Sequence, residues 1–423
     1  MSLLSFDSQS NLDPTTNLQC MNLNTILAKQ SSQLLLQKYH ILNFFASKID
    51  EMIEIACGKE INKNTDRAMA ILTSGSSIII ESIIESNQKT QFFHVFFEEL
   101  KNRVTDQSEF LTDIDNRLPR ILSLLQKVIL IRPNSLSNGF QFIIEIFELI
   151  RDVYITDFFE NICGPNQPPG ITHHWLIQNG FQNIILKKLK NGNDSEIINI
   201  IKVLKVCSHS DDFDPIFTSE TFSILISKSS SLDIKNTQNS KLKISETRQK
   251  EFFDELFELF FLMFDFLHTQ LKFDIYSLTK HFIFNNFCEA RRAEVAAIKI
   301  LAKFAETGKV ALEISPVLSY LIFNKSKSTF LMNAIVDFAS SAFSIQKHGC
   351  QVAVDLIPSL IRLSNDRKSI HSSECAFKIV SAAKEEAIFD PELKYILSKI
   401  HGLNEYEKNV MKKRNDAENS EEL

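Results

Sequence analysis

The segment AEVAAIKIL at 293–301 has two later counterparts, FLMNAIV at 330–336 and QVAVDLIPSL at 351–360, which repeat its mixture of small and branched apolar residues. In each segment the apolar positions recur every three to four residues, which is the spacing of one face of an α-helix. Alanine and valine on such a face allow a neighbouring helix to approach closely, because the distance between helix axes depends on the side chains at the contact. The three segments therefore predict helices that pack directly on one another.

The same spacing continues over most of the chain. Only 10 Gly and 10 Pro occur in 423 residues, compared with about 7 % and 5 % in average proteins, so tight turns and glycine-rich phosphate loops are scarce. The helical stretches are separated by a few polar residues, which is the connection length of antiparallel neighbours. The segments also resemble the inner helices of HEAT and armadillo units. We therefore predict an all-α fold, an α-solenoid of armadillo/HEAT-like helical hairpins.

The pattern divides the chain into three parts. Residues 1–22 are predicted to be a flexible N-terminal arm, residues 23–402 a helical-repeat domain and residues 403–423 a charged C-terminal tail. The stretch 229–250 is rich in Ser, Lys, Asn and Thr and contains no aromatic residue. It is predicted to be a flexible insertion. A linker between two domains is the alternative, but helical hairpins resume directly after it.

Composition limits the classes of function. The net charge of -6 argues against nucleic acid as the main partner, because phosphate binding needs concentrated Lys and Arg. Seven Cys with no CxxC pair are typical of a reducing compartment and of small buried side chains. The N-terminus lacks a basic segment followed by an apolar one, and the apolar windows are too short to span a bilayer. We expect a protein of the cytoplasm, with the nucleus as a second location, and no membrane partner.

The sequence contains no motif that predicts catalysis or a bound cofactor. His173 and His174 are adjacent, so on a helix their side chains diverge and cannot hold one metal ion. The stretch 207–212, CSHSDD, contains the residue types of a nucleophilic triad, but a triad is assembled from distant segments around an oxyanion site. We therefore predict a chain that is not an enzyme and has neither a metal nor a cofactor; a helical enzyme with an unrecognised site is the weakest alternative.

Two adjacent arginines, Arg291 and Arg292, mark the start of the helix that contains AEVAAIKIL. Positive charge at a helix N-terminus opposes the helix dipole, so these residues are candidates for a role other than helix stability. In solenoids such residues line the ridge where guanidinium groups bind a partner's carboxylates. A solvated turn is the alternative.

Three consecutive segments carry a resemblance to a known family. They are ITDFFENI at 155–162, ITHHWL at 171–176 and IQNGFQNII at 177–185. The loop after the first contains Pro165, Pro168 and Pro169. This arrangement of a short helix, a proline-containing loop, a Trp-Leu pair and a helix with apolar pairs resembles the centre of the SAPS-domain family, the regulatory subunits of protein phosphatase 6.

The order of the flanking segments is similar to the same family. The Leu-rich stretch 23–45 resembles its opening pair of helices, and 68–74 resembles the segment that follows. The Ile-rich stretch 193–208 matches the helix after the Trp segment. The resemblance covers about residues 20–345.

The resemblance implies a non-catalytic regulatory or scaffold subunit. Such a subunit would bind a serine/threonine protein phosphatase catalytic subunit of the phosphatase 6 type, and further scaffold proteins and phosphoprotein substrates are its other expected partners. Trp175 matches the family's Trp and is a candidate partner contact together with Arg291 and Arg292, although a large anchor between helical layers is the more usual role of such a side chain. An α-solenoid adaptor unrelated to phosphatases is the alternative function.

Overall fold

The computed structural model describes residues 22–29, 39–104, 111, 115–165, 170–231, 246–286, 290–325, 327–365 and 370–411. Within these residues every regular element is a helix, and helices pack against their neighbours in the chain. The predicted all-α helical-repeat fold is confirmed. The chain divides into two compact units, residues 1–188 with 209–215 (unit 1) and residues 189–208 with 216–423 (unit 2).

Unit 1 consists of helical hairpins around an aromatic core. Its helices are α1 (Leu23–Lys29), α2 (Tyr39–Ser47), α3 (Ile49–Cys57), α4 (Lys63–Leu72), α5 (Ser77–Thr90), α6 (Phe92–Arg103), α7 (Leu118–Ile131), α8 (Ile143–Ile146), α9 (Val153–Cys163), α10 (Ile171–Gln178) and α11 (Phe181–Asn191), the last of which continues into unit 2. Helix α3 packs against α4 and α5, α5 against α7, α7 against α9, and α9 against α10. The Phe147 ring meets the edges of Phe159 and Phe181 at 4.9 and 5.0 Å between centroids, so these rings fix α9 and α11 on the same core.

Unit 2 has two layers of helices. Its helices are α12 (Asp194–Cys207), α13 (Ser219–Ser231), α14 (Glu246–Leu262), α15 (Phe264–Gln270), α16 (Lys272–Asn286), α17 (Arg292–Glu306), α18 (Ser315–Lys325), α19 (Thr329–Phe343), α20 (Gln346–Asn365), α21 (Ile370–Glu386), α22 (Pro391–Lys399) and α23 (Leu403–Tyr406). In one layer, each helix contacts the next in the order α12, α14, α17, α19 and α21. In the other layer, α13 contacts α16, α18 contacts α20, and α20 contacts α22. This alternation between layers is the packing of a stack of helical hairpins.

Two of the quoted segments, in α17 and α19, lie in the first layer of unit 2 and contact each other, whereas the third lies in α20 of the other layer, which also contacts α19. Ala293, Ala296 and Ala297 of α17 are buried, which allows α14 and α19 to pack closely on both sides of this helix. In α19, Leu331 and Ala334 are also buried, but Phe330 is 77 % exposed. This residue precedes the buried stripe by one position, and the periodicity alone does not reveal that its ring faces solvent.

Most of the paired phenylalanines are core residues. The members of the pairs at 92–93, 96–97 and 158–159 pack edge to face, with ring centroids 5.1 to 5.4 Å apart. All of them are buried except Phe92, which is half-buried. Such contacts contribute about 0.5–1.5 kcal/mol beyond the burial of their area.

The described cysteines are mostly small buried side chains, as predicted. Cys57, Cys163, Cys207 and Cys375 are buried and form no disulfide with another described cysteine. Burial raises the pKa of Cys57 to about 12, against the opposing charges of Arg120 and Arg117. The pKa of Cys375 is raised to about 12, also mainly by burial. We therefore expect the thiols of Cys57 and Cys375 to be protonated at neutral pH and poor nucleophiles.

The predicted boundaries of the N-terminal arm and of the insertion can be compared with the described helices. Helix α1 begins at Leu23, and the arm before residue 22 lies outside the described residues. Of the predicted insertion 229–250, residues 229–231 and 246–250 are helical, and 232–245 lie outside the described residues. The flanking helices α13 and α14 both belong to unit 2.

The first part of the predicted C-terminal tail is helical. Helix α23 is followed by a π-helical turn, Glu407–Met411, and the side chains of Leu403, Tyr406 and Met411 are buried. These three side chains pack into the fold, so residues 403–411 are not part of a solvated tail. The prediction is based on the charged residues of this stretch and does not take its apolar residues into account. Residues 412–423 lie outside the described residues.

No single described helix is long and apolar enough to cross a membrane. Helices α4 and α5 reach the length and apolar composition of a membrane-spanning segment only when taken together, and the angle between them is 101°.

Candidate partner-binding groove

The N-terminus of α17 is the element that positions the two predicted arginines. Arg291 is the N-cap residue, and its backbone N–H donates to Glu294 Oε2 at 2.6 Å. Ala290 precedes it with a φ of 54°, a left-handed conformation that reverses the chain direction before the helix. Burial raises the pKa of Glu294, against the opposing effect of hydrogen bonds from the backbone N–H groups of Arg291 and Glu294.

Arg291 links α17 to α14. Its guanidinium donates to the carbonyl oxygen of Lys250 and to Asp254 Oδ2, the second at 3.0 Å. The other carboxylate oxygen, Asp254 Oδ1, accepts the backbone N–H of Ala293 at 2.8 Å. The side chain of Arg291 is 21 % exposed. The structure thus gives Arg291 a structural role at this helix junction.

Arg292 belongs to a charge network with α12 and α14. Its guanidinium lies 2.8 Å from Glu255 Oε1 and 3.2 Å from Glu258 Oε1. Lys205 binds the same two carboxylates at 2.6 and 2.5 Å. Burial raises the pKa of Glu255, but hydrogen bonds and charge from Lys205 and Arg292 outweigh burial, so the net pKa is lowered. Arg292 is itself 57 % exposed and is therefore accessible to a partner.

These contacts explain why a helix begins with two positive residues. The dipole at the start of α17 disfavours cations, but Asp254, Glu255 and Glu258 on α14 neutralise both guanidinium groups. Charge pairs across adjacent helices also fix the register of the two helices, because the partners are far apart in the chain. The sequence shows the arginines, but not which acidic residues they meet.

A groove opens beside the exposed guanidinium. We call it the Phe330 groove; it has a volume of about 330 Å³. It is lined by Glu258, Phe261, Ala290, Arg291, Arg292, Val295, Ala296, Lys299, Ser328 and Phe330. The floor is apolar, and the cations on the rim are Lys299 and the two arginines, whose charges are paired with carboxylates of α14. A cavity of this size accommodates one or two side chains of a partner.

Lys299 and Lys303 extend the cationic side of this groove along α17. Each ammonium nitrogen lies 5.4 Å from the ring centroid of Phe261, and neither has a carboxylate partner in the part of the chain that the structure describes. A second cavity of about 340 Å³ shares Phe261 and Lys299 and reaches Asp337 on α19. The two cavities form one surface track across α14, α17 and α19.

Trp175 does not belong to this groove. It lies in α10 of unit 1 and is 8 % exposed. Its backbone carbonyl accepts the amide of Asn179 at 2.8 Å. Of the three predicted partner residues, Arg291 and Arg292 thus lie together at the start of α17, whereas Trp175 is a buried residue of the other unit. The sequence did not indicate Phe261 or Phe330; for Phe330 the available signal is an aromatic residue at the start of a helix.

The two adjacent histidines have opposite environments, as helical geometry requires. His173 is 2 % exposed, whereas His174 is exposed. Ser210 Oγ and Asp212 Oδ2 lie 3.3 and 3.4 Å from the same ring atom, His173 Nδ1. The other nitrogen, Nε2, is buried without a hydrogen-bond partner. A catalytic triad needs the carboxylate and the nucleophile on opposite ring nitrogens, so this cluster fastens the 209–215 segment to α10.

One cluster of metal-ligand types was missed at the sequence level. Ligand atoms of His94, Glu98 and Glu145 lie within 4.8 Å of one another. His94 and Glu98 have the i, i+4 spacing of one helix face, which is a visible signal, but Glu145 comes from another helix. The ammonium of Lys101 lies 2.9 Å from Glu98 and 3.0 Å from Glu145. Lysine therefore supplies the positive charge at this cluster.

Comparison with known proteins adds a structural likeness without a function. No protein-family profile matches the chain, and no curated protein matches it. Among solved structures it is similar to the crystal structure of an engineered protein from the Northeast Structural Genomics Consortium. The TM-score is 0.44 at 13 % identity, over 90 % of this chain and 94 % of that chain. A likeness at this level supports no statement about function.

Proposed function

We propose that this protein is a non-catalytic regulatory or scaffold subunit that binds a serine/threonine protein phosphatase catalytic subunit of the phosphatase 6 type. The observation that carries a partner-binding role is the Phe330 groove, where an exposed aromatic ring, an apolar floor and a cationic rim coincide. Aromatic residues and arginine are enriched in protein interfaces. An exposed Phe ring next to such a floor is an anchor site for a partner side chain.

The phosphatase identity rests on the resemblance of residues 155–185 to the SAPS-domain family. Since Trp175 is nearly enclosed, we assign the partner contact in this region to exposed apolar residues at the starts of α9 and α10. Val153, Tyr154 and Ile171 are 48 %, 41 % and 46 % exposed. They provide an apolar surface on α9 and α10 that a catalytic subunit would cover.

The mechanism of such a subunit is positional. It holds a catalytic subunit and a phosphoprotein on one chain, which raises their effective concentration and selects substrates. The metal ions and the hydrolytic chemistry belong to the catalytic subunit. We propose the cytoplasm as its location, with the nucleus as a second one.

The test is purification of the tagged full-length chain from its own cells, followed by mass spectrometry. We expect a stoichiometric phosphatase catalytic subunit, and at least tenfold less of it with Phe330→Asp. The control is Phe389→Asp, which changes a residue that is 80 % exposed and lies outside the groove. Recovery of the chain without any phosphatase would refute the proposal.

The second candidate is an α-solenoid adaptor with no phosphatase. It is favoured by the chemistry of the Phe330 groove, because an apolar floor with a cationic rim suits any acidic and apolar segment. Transport or assembly proteins in the purification, lost with Phe330→Asp and retained with Phe389→Asp, would establish this function in place of the first.

A further inference from the structure

A second surface of unit 2 combines exposed aromatic area with unneutralised positive charge. Phe273, in the first turn of α16, is 76 % exposed. The ammonium of Lys309 lies 4.6 Å from the ring centroid of Phe273 and 3.8 Å from that of Tyr276. A lysine from the turn after α17 is thus held between two rings of α16 by cation–π attraction.

Further lysines surround this pair of rings. Lys280 lies 5.8 Å from the centroid of the Tyr276 ring and forms an ion pair with Glu313 at 3.0 Å. Lys272 is the first residue of α16. In the described part of the chain, Lys272 and Lys309 have no carboxylate partner, so two of the three ammonium groups in the patch are left without an ion pair.

The lysines are close enough to repel one another. The pKa of Lys309 is lowered by burial and then by the charges of Lys272 and Lys280. The second of these causes is repulsion between like charges, which disfavours the protonated form of Lys309. An anion placed among the three ammonium groups would relieve the repulsion, and a dianion would do so most effectively.

We propose that Lys272, Lys280 and Lys309, together with the exposed ring of Phe273, form a docking site for a phosphorylated segment of a partner protein. A phosphoserine or phosphothreonine carries close to two negative charges at neutral pH and three strong acceptor oxygens, which match the lysines. An apolar residue next to the phosphorylated one covers the Phe273 ring, which a free phosphate ion leaves exposed.

The role of this site as a substrate-docking site rests on the proposed function, but the binding itself does not. Peptide binding is measured without any phosphatase, and its failure is therefore distinguishable from failure to recover a phosphatase. The site lies on α16, in the other layer of unit 2 from the Phe330 groove.

The experiment uses the full chain and a fluorescent peptide with one phosphoserine between Leu and Phe, together with its Ser and Glu counterparts. Fluorescence anisotropy is expected to show at least tenfold tighter binding of the phosphopeptide than of the Ser peptide. The affinity should fall with added salt, because exposed charges are screened.

Two variants locate the site. Lys309→Glu and Phe273→Ser should each weaken phosphopeptide binding at least tenfold, whereas the matched changes Lys89→Glu and Phe389→Ser should leave it unchanged. All four residues are at the surface, and circular dichroism checks that each variant is folded. An independent readout is the NMR titration of ¹³C-dimethylated lysines, in which the pKa of Lys309 should rise when the phosphopeptide binds.

Other results would overturn the proposal. Phosphopeptide binding that Lys309→Glu leaves intact would place the site elsewhere. Equal affinity for inorganic phosphate, with no effect of Phe273→Ser, would reduce the patch to a site for small anions. A Glu peptide as tight as the phosphopeptide would make it a site for acidic segments, and binding only to anionic phospholipid vesicles would make it a membrane contact.

Discussion

At the scale of single residues, buried charges in this protein are held by more than one partner. Asp115 is the clearest case, because its side chain is 2 % exposed. Arg117 donates to both carboxylate oxygens at 2.8 and 2.7 Å, and Arg103 donates at 2.8 Å. Burial raises the pKa of Asp115, but these hydrogen bonds outweigh burial and lower it well below its usual range.

We predict that Asp115→Asn destabilises the protein at neutral pH by about 2 kcal/mol. This is below the 3–5 kcal/mol of a fully buried broken pair, because Arg103 is 39 % exposed. A lowered carboxyl pKa stabilises the fold above the unfolded value of about 4 and ceases to do so as the pH falls through the folded pKa. The difference in urea unfolding between variant and parent should therefore shrink below pH 4. Glu54→Gln, an exposed position on α3, is the control; an equal loss at pH 3 and pH 7 would contradict this account.

At the scale of elements, α17 shows what the sequence could predict and what it could not. Its spacing of Ala, Val, Ile and Leu fixes a helix with a wide apolar face, and the buried alanines confirm close packing against α14 and α19. The neighbours of Arg291 and Arg292 were not predictable, because Asp254 and Glu255 lie in α14, which is separated from α17 along the chain by α15 and α16. The exposed ring of Phe330 was not predictable either, since an apolar residue at a helix start fits both the core and the surface.

The packing of α17 leads to a stability prediction. Leu301 is fully buried on this helix, so Leu301→Ala should lower the free energy of unfolding by about 2–5 kcal/mol through lost burial and a residual cavity. Leu262→Ala, at a position that is 45 % exposed, should change it by less than about 0.5 kcal/mol. Chemical denaturation followed by far-UV circular dichroism measures both. Similar losses for the two variants would mean that α17 is not a central element.

At the scale of the whole molecule, the chain crosses between units at residues 188, 208 and 215. The sequence pattern does not mark these crossings, because helices of the same character continue on both sides. The single tryptophan, Trp175, lies in unit 1. Its fluorescence therefore reports on that unit, whereas circular dichroism averages over all helices.

This arrangement of probes allows the two units to be followed separately. We expect Asp115→Asn, in unit 1, to shift the urea midpoint of Trp fluorescence more than that of circular dichroism. Leu301→Ala, in unit 2, should do the reverse. Local stability often differs between parts of a helical-repeat protein. Coincident midpoints by both probes in both variants would show instead that the molecule unfolds in one step.

The two ion pairs of Lys101, with Glu98 and Glu145, occupy a position where substitution of the lysine could create a metal site. Lys101→Met would leave His94, Glu98 and Glu145 facing each other without their cation, and carboxylate and imidazole groups at this separation suit Zn²⁺. We expect Zn²⁺ to raise the melting temperature of the variant and a chelator to reverse this gain, as measured by differential scanning calorimetry. The melting temperature of the parent should respond to neither. An unresponsive variant would mean that the three side chains cannot converge on one ion. We therefore expect that a single lysine, Lys101, keeps this part of the fold independent of the metal content of its surroundings.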